Sequence, residues 1–158
     1  MTAHRTVDHD ALRSLLTGIR DTTWSWSEAE VPALTTRLGW ELGRLVSGTG
    51  AMADPGYELG KKAVRFAFND GEVRRITMRL TSILDEDDQA FLMDVRQRAV
   101  TLATEVLGEP DAPPGTEGGQ VRWRGRQATI LLQVPAVAVT LVWSTNAFQD
   151  HLDTLGQQ

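Results

Sequence analysis

The most apolar stretch of the chain, residues 128–143, predicts the centre of a β-sheet. It is rich in β-branched side chains, lacks a helical period and is interrupted by Pro135, which together favour two strands over one helix. Pro135 has no backbone N–H to donate, so it belongs in the turn between them. Strands that are apolar on both sides need cover on both faces. We therefore expect this hairpin inside the sheet, with helices on one face and a partner or a further element on the other.

Alternation with a period of two predicts the remaining strands. Residues 121–126 place two apolar side chains on one face and three arginines on the other. Residues 64–80 predict a hairpin, because alternating apolar residues flank the turn sequence NDG. Within it, Val73 is out of phase with Ile76, which predicts a bulge at the two arginines between them. Less regular patterns predict two further strands, at residues 42–47 and 57–59.

Apolar residues at helical spacing predict four helices. The first begins near Asp8 or Asp10, either of which can cap it. The second begins at Ser27, which has capping-box spacing to Glu30, or nearer Pro32, which suits a first helical turn. The third and longest helix and the short fourth helix are predicted at residues 88–107 and 147–155.

The order of these elements predicts an α+β fold. Two N-terminal helices precede an antiparallel sheet, one long helix is inserted between the halves of the sheet, and a short helix ends the chain. With 158 residues, the chain has the size of one domain. We expect a single domain over residues 1–158, with loose ends at about 1–7 and 156–158. The predicted core includes Leu15, Leu38, Phe66, Met78, Leu102, Trp123, Leu132, Val139 and Leu141.

Composition and charge indicate which kinds of partner and which cellular compartment to expect. The apolar fraction is 41%, but no run approaches the roughly 18 apolar residues of a membrane span. A net charge of −5 disfavours nucleic acid and anionic membranes and favours a basic protein partner. The absence of cysteine and of an apolar signal segment in MTAHRTVDHDALRS leads us to expect a cytoplasmic protein.

The acidic run formed by Asp85, Glu86, Asp87 and Asp88 has two interpretations. Clustered carboxylates are the ligands that hard divalent cations prefer. However, the run directly precedes a predicted helix, where negative charge is favoured by the helix dipole. It also lacks the glycine and the distal glutamate of a calcium loop. We favour the helix start.

The sequence gives little support for a histidine metal site, a nucleotide site or a serine hydrolase site. His4, His9 and His151 lie near the two ends of the chain without HxH or HxxxH spacing. No GxGxxG or GxxxxGK[ST] sequence is present for a nucleotide, and no GxSxG elbow for a serine hydrolase. We predict no catalytic residues, no cofactor and no metal, and hence a protein that is not an enzyme.

Arginines and tryptophans are the candidates for binding. Arginines on the predicted outward faces of strands either keep the sheet soluble, which we favour, or form a functional basic patch. Trp24 and Trp26, in the link between the first two helices, are either core residues, which we favour, or an exposed anchor. The strand arginines are Arg65, Arg75, Arg79, Arg122 and Arg124.

Four short motifs occur in a fixed order between Trp24 and Phe148. They are a WSW pair before a helix ending in LGW, a helix ending in LGEP, a VRWRG strand, and TNAF after the last strand. In these features the chain resembles an uncharacterised family of small actinobacterial proteins, which are similar to the immunity partners encoded beside secreted polymorphic toxins. The resemblance implies a cytosolic inhibitor with no catalytic residues.

We therefore expect an immunity protein, or antitoxin, that binds a cognate secreted toxin and occludes it, as a monomer or weak dimer. The predicted partner-binding residues are Trp26, Tyr57 and Arg124 as anchors and Asp85, Glu86, Asp87 and Asp88 for electrostatic steering. A secretion chaperone or adaptor for an exported protein is the alternative, because the order of elements also suits such folds. An enzyme acting on a small molecule is the third hypothesis.

Overall fold

The computed structural model describes residues 9–55, 63–81, 89–111, 121–133 and 138–156. The helices of this described part are α1 (His9–Arg20), a 3-10 turn (Glu28–Glu30), α2 (Val31–Leu38), α3 (Gln89–Leu107) and α4 (Asn146–Gly156). The strands are β1 (Glu41–Val46), β2 (Gly50–Asp54), β3 (Val64–Asn69), β4 (Glu72–Arg79), β5 (Val121–Arg124), β6 (Ala128–Gln133) and β7 (Thr140–Thr145).

All seven strands join one antiparallel sheet in the order β1-β2-β3-β4-β7-β6-β5. The long helix α3 connects β4, in the middle of the sheet, to β5, at its far edge. The predicted α+β architecture is confirmed: two helices precede the sheet, the long helix lies between its halves in sequence, and a short helix follows the last strand.

The hairpin of β6 and β7 occupies the interior of the sheet, as predicted. Strand β7 pairs with β4, and β6 pairs with β5. Ile130 is opposite Trp143, and Leu131 is opposite Val142, so the two pairs point to opposite faces. Both pairs are buried, which means that this hairpin is covered on both sides. The predicted turn at Pro135 lies outside the described residues.

Three helices cover the first face, which we call the helix face. The apolar stripe of α1 is fully buried, as its spacing predicted, and packs in one core with α3 and the strands. Strand side chains in this core include Phe66, Ile76, Leu132 and Trp143. Most of the predicted core is confirmed, but Leu38 is only half-buried, because it follows the buried turn of α2 and packs at the margin of the core.

The C-terminal helix α4 covers part of the second face. It packs against β6 and β7. Thr129 is next to Ile130 in β6 and therefore points to the second face. Its hydroxyl donates to the side-chain oxygen of Asn146 at 2.6 Å. The amide of Asn146 also donates to the carbonyls of Gly125 and Arg126, which fixes the start of the helix against the β5–β6 turn. The further element expected over this hairpin is therefore α4.

The hairpin of β3 and β4 has the predicted turn and the predicted bulge. Asp70 and Gly71 both have positive φ, 53° and 78°, as a type I′ turn requires. Ala67 pairs with Arg75 and Phe68 with Val73, which leaves Arg74 as the extra residue of a bulge.

Helix starts were predicted less well than helix interiors. Asp10 lies inside the first turn of α1 and does not precede it, so it is not the cap. Ser27 caps the 3-10 turn, where its hydroxyl accepts from the N–H of Ala29, and Pro32 lies in the first turn of α2. The two proposed starts of the second helix are thus successive parts of one segment.

Some predictions concern residues outside the described ranges, namely the strand at residues 57–59, the cap Asp8 and the acidic run at residues 85–88. In the described part of the chain, no helix is both long enough and apolar enough to cross a membrane.

We predict that Leu132→Ala lowers the free energy of unfolding by about 2–5 kcal/mol, because truncation of a buried leucine loses transfer energy and leaves a cavity. Leu132 is among the largest fully buried side chains. Met93→Ala is the matched control, since 51% of Met93 is exposed. Chemical denaturation measures both variants, and an unaltered midpoint for Leu132→Ala would contradict this description of the core.

Candidate functional site

The half of the second face formed by β1 to β4 is open to solvent. Val46, Arg65 and Ala67 are exposed there, whereas Leu131 and Val142 on the same face near α4 are buried. We call this open surface the arginine face. It consists of Glu41, Arg44, Val46, Met52, Asp54, Arg65, Ala67, Glu72, Arg74, Arg75, Thr77 and Arg79, with the three acidic residues at strand ends.

Strand pairing gathers three arginines of this face around one threonine. Arg65 lies directly opposite Thr77. Arg75 and Arg79 are two residues to either side of Thr77 on β4, so both are diagonal neighbours of Arg65 on the same face. Diagonal neighbours across a strand pair are about 7–8 Å apart, within reach of long side chains. The three guanidinium groups can therefore converge above Thr77.

The bulge adds a fourth arginine to the same surface. Val73 and Ile76 are both fully buried on the helix face. Arg74 and Arg75 lie between them and therefore both belong to the opposite face, which regular alternation would not allow. The Nε atoms of both arginines are shielded from solvent and have no hydrogen-bond partner in the described part of the chain. Arg74 has one distant carboxylate, Glu72 at 3.7 Å.

The arginines of this face differ in their surroundings. Burial lowers the pKa of the Arg75 guanidinium, because a charged group loses hydration there. Burial also lowers the pKa of Arg79, and the positive charge of Arg65 lowers it further. Arg79 donates its Nε to the carbonyl of Thr81 at 2.9 Å. Among the described residues, Arg65 and Arg75 form no ion pair.

A shallow apolar hollow of about 490 Å³ lies beside these arginines. Val46, Met52 and Ala67 contribute apolar surface to it, and Arg44 and Arg65 line it as well. A volume of this size is within the range of about 300–1,000 Å³ that is typical of binding sites. The arginine face therefore combines a positive potential with a site for an apolar group.

Comparison with known proteins assigns the chain to a family. Its sequence matches the model of a family of unknown function, DUF6301, over residues 10–145. The chain belongs to the DUF6301 family. No curated protein and no solved structure matches it significantly. The matched region of this DUF6301 chain contains all seven strands, including every residue of the arginine face, and ends directly before α4.

Trp26 is a core residue, which confirms the favoured interpretation and contradicts the alternative of an exposed anchor. Only 7% of it is exposed. Its ring lies 5.1 Å from that of Trp24 and 4.9 Å from that of Trp143, centroid to centroid. The backbone of Trp26 has φ 59°, an uncommon value for a large side chain. Its carbonyl accepts from the N–H of Val73 at 2.8 Å, which holds the strained segment against β4.

Arg124 is exposed, as expected for a binding residue, but it has a partner within the chain. Its guanidinium donates to both carboxylate oxygens of Asp150, at 2.7 and 3.1 Å. This bidentate pair joins β5 to α4. Arg124 and Trp26 line the same cleft of about 550 Å³ at the end of the sheet, so the structure brings two of the predicted binding residues together.

The other predicted binding residues, Tyr57 and the acidic run, lie outside the described residues, and their roles stay predictions. Within the described ranges, no three histidine or acidic side chains are grouped so that they could hold a metal ion. Arg44, Met52 and Arg74 were not predicted to be members of one surface. The phase change between Val73 and Ile76 was the signal that places Arg74 there.

We predict that Arg75→Met raises the free energy of unfolding by about 1 kcal/mol, because a methionine keeps the apolar stem and removes a partly desolvated, unpaired charge. Arg98→Met on the exposed surface of α3 is the control, with an expected change within about 0.5 kcal/mol. Arg98 forms a surface ion pair with Asp94, and 62% of its side chain is exposed. Loss of stability in Arg75→Met would show that the native guanidinium is well compensated.

Proposed function

We propose that this protein is an immunity protein that binds a cognate secreted toxin in the cytoplasm and neutralises it by occlusion. The observation that supports this proposal is the arginine face, where arginines surround a shallow apolar hollow on the open half of a sheet. Around Met52, Arg65 and Ala67 this face consists of arginine, methionine and apolar side chains, a composition typical of the centre of a protein interface, while its acidic residues lie at strand ends.

The rigidity of this surface also supports a binding role. The arginine face is built on four adjacent paired strands, so its backbone is already ordered before a partner binds. Binding to an ordered surface loses less conformational entropy than binding that must first fold a segment. A broad, preformed surface suits an inhibitor that works by covering its target.

The positive charge of the arginine face is opposite to the net charge of the protein, so the two favour different surfaces of the toxin. The net charge of −5 favours a basic toxin at long range. Close contact with the arginine face, in contrast, requires an acidic or neutral patch on that toxin. A toxin with an overall positive charge and a local acidic patch would satisfy both conditions.

We predict that coexpression with the toxin encoded by the neighbouring gene restores growth, and that the two proteins elute together on gel filtration. Arg65→Glu reverses an exposed charge in the middle of the arginine face and should abolish protection, because it repels the acidic patch. Arg98→Glu makes the same change on α3 and should protect like the wild type.

Two results would contradict this proposal. One is cell death with the wild-type protein at the same rate as without it, together with no complex on gel filtration. The other is a stable dimer that holds an unfolded exported protein and leaves the toxin active, which would favour the secretion chaperone.

A further inference from the structure

We infer that the arginine face recognises carboxylate side chains within an acidic, partly apolar segment of the partner protein. This inference rests on the proposed function, since it specifies the chemistry of the toxin surface that is covered. It depends on three features of the described residues: the convergence of arginines at Thr77, the unpartnered donors at the bulge, and the apolar hollow beside them.

The convergence of arginines forms a site for an anion. Arg65 lies diagonally between Arg75 and Arg79 on the second face, where Arg65 is exposed and the other two are half-buried. Guanidinium groups present planar pairs of N–H donors that match the two oxygens of a carboxylate. An anion above Thr77 would also relieve the repulsion between Arg65 and Arg79. The natural ligand at this position is therefore a carboxylate.

The bulge provides donors that have no acceptor inside the described part of the chain. Arg74 and Arg75 each keep a shielded Nε without a hydrogen-bond partner. Buried donors without partners are costly, and the cost is larger for charged groups. Rotation of these flexible side chains towards an incoming carboxylate would satisfy the donors. A partner thus gains binding energy from groups that the free protein leaves unsatisfied.

The apolar hollow determines which kind of side chain can bind next to the carboxylate. Val46, Met52 and Ala67 lie next to Arg65, and Met52 is directly paired with Arg65 in the sheet. An apolar side chain that enters this hollow would place a neighbouring acidic side chain beside the arginines. The preferred ligand is therefore a segment in which acidic and apolar residues are close together.

A protein segment fits this surface better than nucleic acid. Proteins that bind single strands combine positive charge with aromatic side chains on which bases stack. The arginine face as defined from the described residues has no aromatic side chain, and the net charge of −5 opposes binding of a long polyanion.

Fluorescence anisotropy with a labelled synthetic peptide of alternating glutamate and leucine tests the inference directly. The wild type should bind this peptide, and Arg65→Gln should bind it at least about tenfold more weakly, because a charge-assisted, two-point contact is lost. Arg65→Lys keeps the charge without the planar donors and should be intermediate. Arg98→Gln, the control on α3, should stay within about twofold of the wild type.

Three outcomes would overturn the inference. The first is that the wild type does not bind the peptide. The second is that Arg65→Gln binds the peptide as tightly as the wild type does. The third is that the wild type binds single-stranded DNA of the same charge as tightly as it binds the peptide. Circular dichroism of each variant identifies any loss of affinity that comes from unfolding, and Arg79→Gln then provides a second position on the same site.

Failure of this inference can be distinguished from failure of the proposed function. If the wild type and Arg65→Gln protect cells equally well, the protein is an immunity protein that uses another surface. If peptide binding depends on Arg65 but no protection occurs, the surface is assigned correctly and the immunity function is wrong.

Discussion

Two-sided burial of the β6–β7 hairpin is the constraint on which the rest of the structure depends. Leu131 and Val142 point away from the helix face and are as well buried as Ile130 and Trp143. Helices α1 to α3 can cover only one face, so the second face needs α4. A helix of 11 residues is about 16 Å long. This length is enough to cover a few neighbouring strands but not all seven. The same constraint therefore leaves one half of the second face open.

The open half of the second face carries shielded donors at Arg74 and Arg75 that have no partner among the described residues, which costs stability. A surface without cover could be kept soluble by lysine and glutamate in alternation. Instead, β3 and β4 place Arg65, Arg75 and Arg79 around one point, and the bulge adds Arg74. Shielded donors without acceptors oppose folding. Binding sites commonly retain such unfavourable arrangements, because a partner relieves them.

Periodicity predicted the four helices and most strands of this fold, because burial on one face of a helix or strand leaves a direct pattern in the sequence. It also located the bulge, since Val73 and Ile76 break the pattern. It did not predict β2, whose sequence GAMAD was interpreted as part of a loop. The positions that depend on long-range packing were not predictable. The edge-to-face contact of Trp26 with Trp143, over a hundred residues away, leaves no pattern in the sequence, and Arg44 joins the arginine face only through the pairing of β1 with β2.

Arginine-specific chemical footprinting of the free protein and of its complex with the toxin is the most direct test of the central claim. Mass spectrometry would compare the phenylglyoxal reactivity of Arg65 and Arg44 with that of Arg98 on α3. We predict that Arg65 and Arg44 lose reactivity in the complex and that Arg98 keeps it. Unchanged reactivity of Arg65 and Arg44 in a complex that inhibits the toxin would contradict the claim that the arginine face is the functional surface.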